Sequence, residues 1–104
     1  MEKEFDEEIQ KIESSLERVL GKKFPWVAQL KIDRKHFIEN KKSEHKYKDY
    51  IVNVFITKND FQKLRTENSK NEVETFEEQL SLLFDVLIKD KSKSTVTMVP
   101  NIIK

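Results

Sequence analysis

The stretch RKHFIENKKSEHKYK, residues 34–48, holds both histidines of the chain and its densest run of cations. Arg34, Lys35, Lys41, Lys42, Lys46 and Lys48 stand against only Glu39 and Glu44, with Phe37 and Tyr47 interleaved. Cations spaced by aromatic rings can hold a single-stranded or RNA phosphate backbone and stack its bases. His36 and His45 could face each other beside Glu39 and Glu44 and bind a metal. Structural zinc, however, asks for four ligands, usually with close Cys/His spacing. The plainer reading is a hydrated connection whose lysines keep strand ends soluble and discourage edge pairing. Lys outnumbers Arg 17 to 3, and Arg is the better bidentate partner for phosphate. A polar connection is therefore expected, with these six cations as the alternative nucleic-acid contact and no metal.

Other chemistry is harder to assemble. A single glycine, Gly21, rules out a Gly-rich phosphate loop, and no G-x-x-x-x-G-K-[ST], G-x-G-x-x-G or G-x-S-x-G motif occurs. Without cysteine there is no thiol nucleophile, disulfide, Cys-ligated zinc or iron–sulfur cluster. Ser14 and Ser15 have no histidine near them in sequence. The carboxylate pairs Glu7–Glu8 and Glu77–Glu78 are adjacent helical residues, which point apart. The expectation is a non-enzymatic protein with no cofactor and no small-molecule substrate.

A chain of 104 residues with 37% apolar side chains suits one domain, residues 1–104, with one core. The net charge of +1 does not by itself point to nucleic acid or an anionic membrane. Its distribution is uneven. Residues 1–17 carry seven acids and two lysines; residues 31–48 carry seven Lys/Arg and three acids; residues 89–104 carry four lysines and one Asp. MEKEFDEE lacks an apolar signal segment, and no apolar run approaches the length of a membrane helix. A cytoplasmic protein is the expectation.

Hydrophobic period gives the elements that position these groups. Phe5, Ile9, Ile12, Leu16 and Val19 form one face of a helix over 4–20, with Gly21 as its left-handed cap and Pro25 beyond. WVAQLKID, 26–33, and YIVNVFIT, 50–57, alternate as strands. Residues 34–48 lack the Gly or Pro of a tight turn, so the strands are expected to run into a ragged hairpin. Asn59 or Asp60 would cap a short helix. Asn71 and Glu74 have capping-box spacing ahead of a helix over 72–88 striped by Val73, Phe76, Leu80, Leu83 and Leu87. Residues 82–88 also read as a strand, in a hairpin through DKSKS. STVTMVPNII, 94–103, reads as a last strand, placed at an edge or ended by Pro100.

The result is an α+β fold of two layers, with helices on one face of a small, mostly antiparallel sheet, in the order α-β-β-(short α)-α-β. That order is similar to those of type II KH domains and the BolA-like family. TENSKN stands where the first has its G-x-x-G, and neither the F-x-G segment nor the helical histidine of the second follows the second strand. No residue role carries over from order alone.

With the inward face assigned by alternation, Val27, Ile51, Phe55, Val99 and Ile103 fall on the outer one. A half-solvated sheet should alternate apolar-in and polar-out. Large apolar residues outside suggest a surface that a protein partner or a second copy covers. Binding through this face is the first expectation. An RNA- or ribosome-associated domain using residues 34–48 is the alternative.

Overall fold

The computed structural model describes residues 5–66, 69–88 and 93–104. It is an α+β fold with four helices and a three-stranded mixed sheet, in the order α1 (Asp6–Lys23), β1 (Gln29–Ile32), α2 (Arg34–Lys42), β2 (Tyr47–Thr57), α3 (Lys58–Leu64), α4 (Lys70–Ile88) and β3 (Lys93–Ile103). The strands lie in the order β1-β2-β3. β1 pairs antiparallel with β2, Leu30 opposite Val54. β3 pairs parallel with β2, Tyr50 opposite Val96 and Ile56 opposite Ile102. The mostly antiparallel expectation is thus corrected to a mixed sheet. Two helices lie between β2 and β3, long enough for the crossover a parallel pair requires.

α1 buries Ile9, Ile12, Leu16 and Leu20; Val19, expected on that stripe, is exposed. The acids Asp6, Glu7 and Glu8 occupy its first turn and Lys22 and Lys23 its last, the arrangement the helix dipole favours. Gly21 is not the cap. The helix runs through it to Lys23, and Phe24 closes the last turn by donating its N–H to Leu20 O at 2.8 Å. Pro25 bars Phe24 from the helical region, so the stop lies three residues later than glycine suggests. Residues 25–26 form a turn that draws Trp26 out of the expected strand, leaving β1 four residues long.

The hairpin expected over 34–48 is replaced by α2. Asp33 caps it, Oδ1 accepting the His36 N–H at 2.9 Å. Its one buried residue is Phe37, whose ring lies 5.3 Å from that of Tyr50 and 6.1 Å from Phe5. Asn40 Nδ2 donates to His36 O at 2.8 Å and to Asp49 O at 3.1 Å, tying the helix end to β2. Thr57 rather than Asn59 or Asp60 caps α3, accepting the Asp60 N–H. α4 begins at Lys70, so Asn71 lies inside it and forms no capping box; Thr75 Oγ1 donates back to Asn71 O. Residues 82–88 are helical, not strand. The deepest stripe of α4 is Phe76, Leu80, Phe84 and Ile88.

All these faces join one buried cluster. Phe24, Trp26 and Phe76 pack ring against ring at 4.9–5.8 Å, and Trp26 Nε1 donates to Glu72 Oε1 at 2.9 Å. Buried residues of β1 and β2 are all even-numbered: Leu30, Ile32, Lys48, Tyr50, Val52, Val54 and Ile56. Among the described residues the helices therefore cover one face of the sheet only.

Candidate functional site

The register builds the uncovered face from odd-numbered positions. On β2, Ile51 and Phe55 flank Asn53; on β3, Val99 stands opposite Asn53 and Ile103 opposite Thr57. Val99 is thus diagonal to both Ile51 and Phe55, and Ile103 is diagonal to Phe55. Diagonal neighbours lie roughly 7–8 Å apart at Cα, within reach of large side chains. Four apolar residues form one zigzag band across two strands. Ile51, Phe55 and Val99 are half-buried and Ile103 is exposed.

The fifth expected member is displaced. Val27 precedes β1, donates its N–H to Phe24 O at 3.0 Å, and packs against the core instead of the outer face. The turn at Pro25 and Trp26 breaks the alternation that would have carried it outward.

The polar members of the face pair with one another. Asp49 accepts from Thr95 Oγ1 at 2.8 Å and from Thr97 Oγ1 at 3.1 and 3.2 Å. Asn101 Nδ2 donates to Asn53 Oδ1 at 3.0 Å. Groups already hydrogen-bonded across the strands lose less when water is removed than unpaired ones do.

The six cations of 34–48 differ in pairing and exposure. Arg34 is paired with Asp6, and Lys41 Nζ lies 3.0 Å from Glu8 Oε1, so α1 partly neutralises α2. Lys48 is buried on the inward face of β2. Lys35 and Lys42 are exposed on α2, and Lys46 is exposed in the connection after it. Phe37, one of the two rings expected to stack bases, is wholly buried; Tyr47 is 76% exposed. His36 is half-buried on α2 and His45 lies in the connector beyond it. Among the described residues no three His, Asp or Glu side chains converge as metal ligands, and no helix is long and apolar enough to cross a membrane.

Three features escaped sequence reasoning. Glu13 and Glu17 of α1 accept the backbone N–H groups of Ile32 and Leu30 at 2.9 and 3.1 Å. Their spacing of four on one helix face was legible; the strand edge they meet was not. Leu82 and Val86, also four apart, are exposed on α4, 69% and 68% accessible. Near them a groove of about 680 Å³ runs between α1 and α4, past Ile12, Ser15, Val86 and Leu87. A smaller recess of about 220 Å³ lies among Trp26, Ile56, Phe61, Leu64, Met98 and Pro100. Its lining is almost wholly apolar, and it falls below the roughly 300 Å³ at which small-molecule sites begin.

Comparison with protein-family models, with curated proteins and with solved structures finds no significant match.

Proposed function

We propose that the chain is a non-enzymatic interaction module that docks a protein surface against its open sheet face. The observation that carries this reading is the band of Ile51, Val99, Phe55 and Ile103, which no helix covers among the described residues. The pairing of Asp49, Asn53 and Asn101 within the face supports it, because covering the band then strands few polar groups. The ion pairs of Arg34 and Lys41 and the burial of Phe37 and Lys48 weigh against a phosphate grip on residues 34–48.

Phe55→Asp places a charge at the centre of the band and leaves the core untouched. The variant should keep the wild-type circular dichroism spectrum. A partner captured from an extract of the native host should be lost with Phe55→Asp and kept with Lys22→Ala on α1. Equal capture by both variants would refute the reading.

A further inference from the structure

The two edges of the sheet are built differently. Asp33 N–H donates to Ile51 O at 2.9 Å, so odd residues of β2 turn their backbone groups toward β1 and even ones toward β3. By the parallel register, odd residues of β3 then face β2, and Ser94, Val96, Met98, Pro100 and Ile102 turn theirs to the open edge. On the opposite edge the outward amides of Leu30 and Ile32 are bonded by Glu17 and Glu13. Among the described residues no such group bonds the outward amides of β3.

We propose that two copies of the chain pair antiparallel along this edge, about a two-fold axis at Val96, and join their sheets into one of six strands. Charge points to a second copy as the occupant. Residues 94–103 contain no charged side chain. In a two-fold contact the same strand faces itself, and like charges there would repel. An acidic or basic partner strand would find no counter-charge between Lys93 and Lys104.

Pro100 selects the register. It has no N–H, and its ring sits on the outward side, where a ladder partner would have to approach. With the axis at Val96, Ser94 faces the partner's Met98, Val96 faces the partner's Val96, and Pro100 lies beyond the last bonded pair at either end. Moving the axis to Met98 would bring Pro100 opposite the partner's Val96 and break the ladder. On the outer face Thr95 meets the partner's Thr97, a favourable cross-strand pair. Because Glu13 and Glu17 occupy the β1 edge, assembly closes at two copies instead of growing into a fibre. The pairing uses backbone amides and leaves Phe55 uncovered, so it stands apart from the docking face.

The chain has no cysteine, so one introduced thiol reports on the register. Facing residues of a bonded antiparallel pair lie about 5.5 Å apart at Cα, inside disulfide range. Two copies of position 98 would be offset by four residues, about 13 Å, outside it. Wild-type protein should sediment at about 25 kDa, twice the 12.5 kDa of the chain. Under mild oxidation Val96→Cys should cross-link at least tenfold faster than Met98→Cys. Phe55→Asp should leave the mass at about 25 kDa. A wild-type mass of 12.5 kDa at high concentration would overturn the proposal without any variant. So would equal or faster cross-linking of Met98→Cys, or a dimer that Phe55→Asp dissociates, since the contact would then be the sheet face.

Discussion

Replacing Gly21 with alanine tests how α1 ends, because two mechanisms give opposite signs. A glycine serving as a left-handed C′ cap holds a conformation that alanine resists, and its loss costs about 1 kcal/mol. Gly21 instead lies inside Asp6–Lys23, and a Cβ built on it meets nothing within 4 Å. Interior glycine disfavours a helix by about 0.8–1.0 kcal/mol relative to alanine. Gly21 stands near the last turn, where helical order counts for less, so a gain of about 0.5–1 kcal/mol is expected. An unfolding entropy of about 2.1 cal/mol/K per residue gives roughly 0.22 kcal/mol/K for this chain. Gly21→Ala should therefore raise Tm by about 2–5 °C by calorimetry and raise the urea midpoint with an unchanged slope. A fall in Tm would refute the helical placement of Gly21.

Asp33→Ala should cost about 1 kcal/mol in urea unfolding, because it leaves the His36 N–H of α2 uncapped. Asp33→Asn should recover most of that loss, and a cost below about 0.3 kcal/mol would remove the capping role. Combined Glu13→Ala and Glu17→Ala should cost about 1 kcal/mol per lost hydrogen bond. Light scattering should also detect species larger than a dimer as concentration rises, since the β1 edge is then open to pairing. A mass independent of concentration would show that these glutamates do not guard the edge.

Long elements with strong period were legible. The stripes of α1 and α4 and the alternation of β2 follow from side-chain spacing, and the edge position of β3 from the missing N–H of Pro100. α2 was not legible because it buries one residue, Phe37, and a single apolar position makes no period. Its one local signal was Asp33, which alternation had already assigned to a strand. The shared sheet face of Ile51, Phe55, Val99 and Ile103 was legible because β2 and β3 keep strict parity. Val27 was misplaced because the turn at Pro25 ends that parity before β1 begins. The ion pairs of Arg34 and Lys41 needed the approach of α1 to α2, which no local pattern encodes.

The parallel register also bears on how the chain folds. Each paired residue of β2 and β3 is 46 positions from its mate, from Tyr47 with Lys93 to Thr57 with Ile103. No part of that ladder can form by zipping from a nearby turn. The whole intervening segment must be closed first, at an entropic cost of roughly 3–4 kcal/mol before any ladder bond repays it. β1, α2 and β2 are close in sequence and can associate earlier. The assembly of β3 onto β2 is then the slow, non-local step. Until α4 docks across the sheet, the inward Val96 and Met98 of the uncharged strand 94–103 remain exposed, and it is in this interval that the chain is most open to misassembly.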